Sequence, residues 1–373
     1  MNTTQKIIFL TNIPAPYRVD FFNQLSESCD LEVIFYAKRI KNFGWEDQEK
    51  KQNFKYSFLF SNNKLKWIVD LFFILKSNRE AIFVIGGYSL LPEILSIIYL
   101  KILKIEFLLN LDGGFIKSNF LRTKLKKFLI KSAKYCLSSG VNTTKTLIHY
   151  GANPNNIFEY HFSSVRSKEI LLKPLNKIDK NELRKINNLS PDKFYLIFVG
   201  QLIHRKGIDI LVDAMTDVYE NIELLVIGDG DLLQELINKT IENNISEKIH
   251  FLGRQSKDKV LEFLKLSDVF VLPTREDIWG LVLNEAIACG LPVIATRETG
   301  AVYSLISEGG NGYLYHCNSK DKLIIHINNI YKEDLIKLGE VSLNIAKNYS
   351  TEKMVEDHIS AFQIFLKEKN DNI

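Results

Sequence analysis

The sequence is sparing with cysteine: Cys29, Cys136, Cys289 and Cys317 are scattered through 373 residues with no CxxC pair. That spacing excludes a disulfide framework and a thiolate zinc site, and it fits a reducing cytoplasm. The seven histidines show no paired metal-ligand spacing, and no DxD-type carboxylate pair stands where a divalent ion would need it. No metal and no separate cofactor are therefore expected. Long apolar runs are missing too. Spanning a bilayer takes about 20 residues, and the longest uncharged candidate, Ala81 to Pro92, holds two glycines and a proline. The first apolar run, Lys6 to Leu10, stops at Thr11-Asn12-Ile13-Pro14, too soon for a secretory core and better read as a strand. No GxGxxG follows it, which counts against a nicotinamide dehydrogenase. Charge of one sign is scarce as well. The 48 basic residues against 44 acidic ones leave +4, too balanced to suggest nucleic acid.

What is present is alternation. Strand-like runs at Ile7–Leu10, Leu31–Tyr36, Ala81–Ile85, Ile105–Leu109 and Tyr135–Leu137 take turns with helical patterns at Val19–Leu25, Lys64–Leu75, Leu91–Leu103 and Asn119–Ser132. Strands alternating with helices predict a parallel sheet covered on both faces. The alternation pauses over a polar stretch that contains Pro174 and Pro191. It then resumes with strands at Phe194–Val199, Glu223–Ile227, Lys248–Leu252, Val269–Leu272 and Pro292–Ala295. The reading is α/β with two doubly wound, Rossmann-like domains. Residues 1–165 form the first, 166–193 a linker, 194–349 the second, and 350–373 a C-terminal helix returning toward the first. Such domains bind ligands beyond the carboxyl ends of their strands, which puts a cleft between the two.

The most specific segment runs from Pro273 through Thr-Arg-Glu-Asp-Ile-Trp-Gly-Leu-Val-Leu-Asn-Glu-Ala-Ile-Ala-Cys-Gly to Leu291-Pro292. A strand ends, a polar loop follows, and a helix is expected to start near Gly280. Free backbone N–H groups and the helix dipole suit such a start to a phosphate, and Gly280 lets the main chain approach it. Glu285 is expected more than a turn inside an otherwise apolar helix. There a carboxylate either pairs with a neighbouring loop or accepts two sugar hydroxyls. A second segment, Phe198-Val-Gly-Gln-Leu-Ile-His-Arg-Lys-Gly207, is a strand followed by a basic loop and a helix.

Together these segments resemble retaining glycosyltransferases of family 4, the glycosyl transferases group 1, which have the GT-B fold. The spacing of Asp277 and Glu285, with seven residues between, matches that family's acidic–seven–acidic element. The resemblance implies that Glu285 binds the ribose hydroxyls of the donor nucleotide and that Asp277, or Glu276 beside it, faces the transferred sugar. Leu281 and Val282 would offer backbone N–H groups to the distal phosphate. Lys206 matches the family's diphosphate-clamping lysine. The family's arginine position is Gln201, following Gly200, so either Arg205 compensates or one cation suffices. Gly228-Asp229-Gly230 and Leu252-Gly253-Arg254 fit two further landmarks, the latter where the family holds the base. His204 reads as solvated.

In the first domain, Thr11 to Leu25 carries a proline-bearing loop into a helix and resembles a subgroup associated with bacterial surface polysaccharides. Tyr17, Arg18 and Asp20 would sit at the cleft mouth, on the acceptor side. Asn110-Leu-Asp-Gly-Gly114 follows a strand. Gly113 and Gly114 permit close backbone approach, and Asp112 stands near where relatives carry a histidine. It is either a near-sugar catalytic group or part of a tight turn. From Lys117 to Lys134 there are seven basic residues and no acidic one, with Leu121, Leu125, Phe128 and Leu129 on one helical side. This reads as a basic amphipathic helix suited to an anionic membrane surface.

The resemblance thus implies transfer, with retention, of a hexose-type sugar from a nucleotide-diphosphate donor. The acceptor would be a glycan or lipid-linked molecule in capsule, O-antigen or exopolysaccharide assembly, at the inner face of the cytoplasmic membrane. Asp277, Lys206 and Asp112 are the candidate catalytic residues. No second carboxylate is placed as a nucleophile, so same-face attack is expected rather than double displacement. Two rivals remain: a nucleotide-sugar epimerase on the same architecture, and an inactive sugar-nucleotide-binding partner protein.

Overall fold

Strands rich in Ile, Val, Phe and Leu are buried on both faces here, which requires helices on both sides of each sheet. The computed structural model describes residues 3–38, 52–60, 66–116 and 120–371. The chain divides into two units, one of Met1–Ser163 with Thr351–Ile373, the other of Ser164–Ser350.

In the first unit the order is β1 (Thr3–Thr11), α1 (Pro16–Leu25), β2 (Cys29–Phe35), β3 (Lys55–Phe58), α2 (Lys66–Ser77), β4 (Ile82–Ile85), α3 (Leu91–Ile102), β5 (Phe107–Leu111), α4 (Phe120–Ser132), β6 (Tyr135–Ser138), α5 (Val141–His149) and β7 (Ile157–Glu159). The sheet is parallel throughout, in the order β3-β2-β1-β4-β5-β6-β7. Strand order reverses between β1 and β4, so the loops leaving those two strands diverge and open a crevice at their carboxyl ends. Ile8, Leu10, Phe83, Ile85 and Leu109 anchor the core against Leu71, Leu75, Ile97 and Leu129 of the covering helices.

The second unit contains α6 (Lys177–Ile186), β8 (Phe194–Val199), α7 (Ile208–Ala214), β9 (Ile222–Ile227), α8 (Leu233–Glu242), β10 (Ile249–Phe251), α9 (Lys257–Leu266), β11 (Val269–Leu272), α10 (Val282–Ala288), β12 (Val293–Thr296), α11 (Val302–Leu305), β13 (Gly312–Tyr315), α12 (Lys320–Ile330) and α13 (Leu335–Ala346). Its parallel sheet runs β10-β9-β8-β11-β12-β13, with the reversal between β8 and β11. Leu196, Phe198, Leu224, Val226, Val269 and Val271 fill the core with Leu211, Leu323 and Ile327. The last helix, α14 (Thr351–Asp371), belongs to the first unit and lies against α1, where the His358 and Phe21 rings are 4.7 Å apart.

One boundary differs from the sequence reading. Residues 166–193, expected as a linker, fold into the second unit. The polar pattern there belongs to α6, whose Arg184 is buried, donating to Asp268 Oδ2 at 2.7 Å and to the Leu266 carbonyl at 3.0 Å. A buried guanidinium with matched acceptors gives a polar helix its anchor, which its composition concealed. Among the described residues no helix is long and apolar enough to cross a membrane.

Candidate active site

The crevice of the second unit is built by the loops leaving β8 and β11. After β8 the chain forms a 3-10 turn over His204–Lys206 and enters α7 through Gly207, at φ +68°. A Cβ at Gly207 would overlap the Pro273 carbonyl, so glycine is what lets this turn lie directly on the β11 loop. Main-chain and side-chain bonds then stitch the two loops together. The Arg205 carbonyl accepts from the Arg275 N–H and from Thr274 Oγ1, both at 2.9 Å, and Arg205 Nη1 donates to the Glu276 carbonyl at 2.8 Å. Arg275 makes a two-pronged pair with Asp209 of α7 at 2.8 and 2.6 Å. The result is that Lys206 Nζ meets the Asp277 carboxylate, with both side chains mostly withdrawn from solvent.

Asp277 is itself fixed by its main chain. Its N–H donates to the Glu298 carbonyl at 3.0 Å and its carbonyl accepts from the Gly300 N–H at 2.9 Å, bringing the β12 loop into the same cluster. Of the two adjacent carboxylates, Asp277 is thus the one that reaches the lysine. Glu276 supplies its carbonyl to Arg205 and Thr274.

The helix after this loop begins later than expected, at Val282, so Glu285 stands in its first turn rather than deeper inside. There the helix dipole favours a carboxylate, and the site is half-buried, so the charge needs less compensation than an interior position would. Ser164 Oγ donates to Glu285 Oε1 at 3.1 Å. Trp279 Nε1 donates to Asn284 Oδ1 at 2.9 Å, locking the loop to the helix. Gly280 has φ +92°, and a Cβ there would lie 2.9 Å from Thr299 Cγ2. The first bonds within the turn run from Leu283 to Gly280 and from Asn284 to Leu281, so the N–H groups of Leu281 and Val282 lie ahead of the intrahelical ladder.

The neighbouring landmarks close one side of the crevice. Gly228 has φ +142° and its Cβ would overlap the Gly200 carbonyl, while the Leu202 N–H donates to the Asp229 carbonyl at 2.9 Å. Arg254 pairs with Asp229 at 3.7 Å on the exposed rim. Gln201 is half-buried beside this turn and His204 is exposed. Among the described residues no group of three or more His, Cys, Asp or Glu is arranged to hold a metal ion.

The first unit gathers its candidates at its own strand reversal, with Arg18 and Asp20 buried and Tyr17 half-buried. Arg18 is buried, and its Nη2 donates to Asp112 Oδ2 at 2.5 Å. Tyr160 and Asn110 donate to Asp112 Oδ1 at 2.9 and 3.1 Å, and Tyr17 reaches Oδ2 at 3.5 Å. Behind them His358 of α14 bonds Asn110 Oδ1 at 2.9 Å, with burial pulling its imidazole down to about 4, so it stays neutral. Burial also raises the Tyr17 phenol, while Asp112 drives the Arg18 guanidinium further up despite its desolvation. Asp20 is buried. Gly113 and Gly114 make the following turn, with the Gly114 carbonyl accepting from Asn142 and Thr146 of α5, both at 3.2 Å.

Sequence reasoning missed several members of these clusters. Asn110, Tyr160 and His358 lie 248 residues apart at the extremes and share no local pattern. Glu93 had a visible signal, an acid just after Pro92 at a helix start. It accepts from the Ser89 and Leu90 N–H groups at 2.6 and 2.8 Å, and burial raises its carboxyl to about 7.

Residues 179–351 match the family of glycosyl transferases group 1. An uncharacterized glycosyltransferase of Methanocaldococcus jannaschii is 40% identical over 164 residues, 43% of this chain and 45% of that protein. The chain spans about half the length of the curated relatives it matches first. Among solved structures, Anabaena HepE in complex with UDP has a TM-score of 0.79 at 15% identity, covering 96% of this chain and 100% of that one. A glycosyltransferase from Rickettsia africae has a TM-score of 0.77 at 17% identity, covering 98% and 99%. At those identities the likeness shows the fold, which is GT-B.

Proposed function

We propose, from the premise that residues 179–351 are a glycosyl transferases group 1 domain, that this protein is a retaining glycosyltransferase. It moves a hexose-type sugar from a nucleoside-diphosphate donor to a glycan or lipid-linked acceptor in bacterial surface polysaccharide assembly. The observation that carries this is the meeting of Lys206 with Asp277 in the strand-reversal crevice of the second unit, beside the Glu285 carboxylate on the next helix.

Each group then has a task. Glu285 accepts from the ribose hydroxyls, two charge-assisted bonds that orient the nucleotide. The Leu281 and Val282 N–H groups face the distal phosphate, and Lys206 places a cation where charge builds on the leaving diphosphate. The bond from the anomeric carbon to the phosphate oxygen breaks while the acceptor oxygen bonds to that carbon on the same face. The acceptor proton passes to the departing phosphate oxygen. Asp277 keeps Lys206 aimed and faces the sugar. Arg205 spends its side chain on the Glu276 carbonyl, so Lys206 and backbone dipoles carry the leaving-group charge. Uridine diphosphate sugars are the first donors to try, since HepE of the same fold is in complex with UDP.

The test is a screen of UDP-, GDP- and other nucleotide-sugars by thermal shift and mass spectrometry, with Glu285→Ala as control. Stabilisation with slow donor hydrolysis, lost in the variant, supports the reading. Binding without turnover for every donor and acceptor tried favours a binding partner protein, and a released epimer favours an epimerase.

A further inference from the structure

The second unit opens at Ser164, and its first residues run as a strap beside α10. At the far end the strap is tied to the close of that helix. The Leu171 N–H donates to the Ala288 carbonyl at 2.9 Å, and Pro174 packs on Gly290, where a Cβ would lie 3.3 Å from Pro174 Cα. At the near end it reaches the helix start, where Ser164 Oγ donates to Glu285 Oε1 at 3.1 Å. A hydroxyl rotates to suit any nearby acceptor, so its aim at one carboxylate oxygen depends on how firmly its own main chain is held.

Lys257 supplies that hold. Its Nζ donates to the Ser164 carbonyl at 3.0 Å and to Glu169 Oε2 at 2.8 Å, and the same Oε2 accepts from the Arg166 N–H at 2.7 Å. One ammonium thus bridges the two ends of the 3-10 turn over Ser167–Glu169. Lys257 occupies the first position of α9, where the helix dipole disfavours a cation, and a lysine there would ordinarily extend into water. Its side chain is instead only 24% exposed, drawn inward onto these two acceptors. The charge has a second use. Burial pushes the Cys289 thiol, at the end of α10, up to about 12, and the Glu285 and Glu169 carboxylates both add to that rise. The two acids therefore act on one neighbourhood, and Lys257 answers the charge of Glu169, which keeps like-charge repulsion off Glu285.

We infer that Lys257 is a positioning residue for nucleotide binding: by clamping the strap it aims Ser164 at one oxygen of Glu285 and so fixes the angle at which that carboxylate meets the ribose hydroxyls. The inference rests on Glu285 as the ribose ligand. A carboxylate that is already oriented loses less freedom when the diol arrives. The ribose stands far from the reacting bond and is held alike before and during transfer. The clamp therefore acts on affinity and not on the chemical step.

The test is isothermal titration of the full chain with UDP and with GDP, together with steady-state hydrolysis of the donor that the screen selects. Lys257→Met should weaken the tighter diphosphate by about threefold to tenfold and raise KM by the same factor, with kcat within about twofold of the parent. Ser164→Ala should show a loss of similar size, and adding Lys257→Met to it should bring little more, because both changes act through one contact. Lys259→Met removes the same charge from the same helix but pairs with Glu262, so it should leave the affinity unchanged. Methionine at a helix start that disfavours a cation should fold like the parent, which thermal unfolding checks. Parent affinity in Lys257→Met, additive losses in the double variant, an equal loss in Lys259→Met, or a fall in kcat at constant KM would each overturn the inference. Glu285→Gln separates the two levels. If it binds the diphosphate like the parent, or if neither diphosphate binds at all, the ribose assignment fails and the clamp falls with it. If Glu285→Gln weakens binding and Lys257→Met does not, the clamp alone is wrong.

Discussion

Lys206 and Asp277 form an ion pair between the loops that leave β8 and β11, the two strands at which the second sheet reverses its order. Their side chains are 16% and 13% exposed, so the pair is desolvated enough that neither group turns away cheaply. Under the proposed function, a diphosphate entering the crevice would meet a cation already aimed by its carboxylate partner. Lys206→Ala should lower turnover by about a hundredfold or more, the range for removing a charge-stabilising donor. Lys206→Arg should recover only part of that, because a forked guanidinium cannot occupy a point-charge site. Steady-state transfer or donor hydrolysis checks both, with the unfolding temperature as control.

Glu285 lends itself to a cleaner separation of binding from folding. It is half-buried in the first turn of α10 and accepts from Ser164. Glu285→Gln keeps shape and loses charge, so the affinity for the free nucleoside diphosphate should fall by about tenfold to a hundredfold, as expected for charged hydrogen bonds worth ~1.5–3 kcal/mol. Isothermal titration with the diphosphate, not the sugar donor, reads this directly. Ser164→Ala should weaken binding far less, by a fewfold.

Local segments and long-range contacts differ in how far the sequence could disclose them. The Asp277–Glu285 spacing and the Lys206 loop were legible because each lies within one contiguous strand–loop–helix unit. The strands Phe194–Val199 and Val269–Leu272 were legible for the same reason, as short apolar runs between turns. What stayed hidden was whatever depends on distant partners. Lys55–Phe58 and Gly312–Tyr315 are strands only because a neighbouring strand pairs with them. The segment around α6 looked like a linker because Arg184 finds Asp268 84 residues away. The pairing of Lys206 with Asp277 rather than Glu276 is a matter of which side chain the stitched loops turn inward.

Those stitches can be tested through glycine. Gly207 and Gly253 have nearly the same left-handed φ, +68° and +66°, but only Gly207 faces backbone, whereas nothing lies within 4 Å of a Cβ at Gly253. Gly253→Ala should cost about 1–2 kcal/mol, the strain of the conformation alone. Gly207→Ala carries the same strain plus the overlap with Pro273, so it should cost at least ~2 kcal/mol more and disturb the Lys206 loop. Urea unfolding of the two variants side by side isolates the close approach.

Glu93 gives the first unit a pH dependence of definite sign. Burial raises its carboxyl to about 7, above the value of 4.5 it would have unfolded. Between those values the native state binds the extra proton, so the contribution of this group to stability falls as pH rises from 4.5 through 7. At full development the loss is roughly 3–4 kcal/mol. Glu93→Gln should flatten that part of the stability–pH curve, being less stable than the parent at pH 5 through a poorer cap and closing the gap by pH 8. Chemical denaturation at a series of pH values checks the slope.

Asp112 can be assigned by a double-mutant cycle. It stands either as a group acting on the sugar or as the counter-charge of a buried arginine, and these make opposite expectations. Four side chains already claim its oxygens, with Arg18 at 2.5 Å and itself buried, its Nε without a hydrogen-bond partner. If counter-charge is the main duty, Asp112→Asn strands a guanidinium in the interior and should cost about 3–5 kcal/mol. Arg18→Met with Asp112→Asn should then cost clearly less than the sum of the single changes, because the stranded charge has gone with the carboxylate. If Asp112 acts on the sugar, the asparagine variant should instead unfold like the parent and lose turnover. Stability and turnover of the three variants decide between them, since a buried counter-ion cannot be removed without the fold registering it.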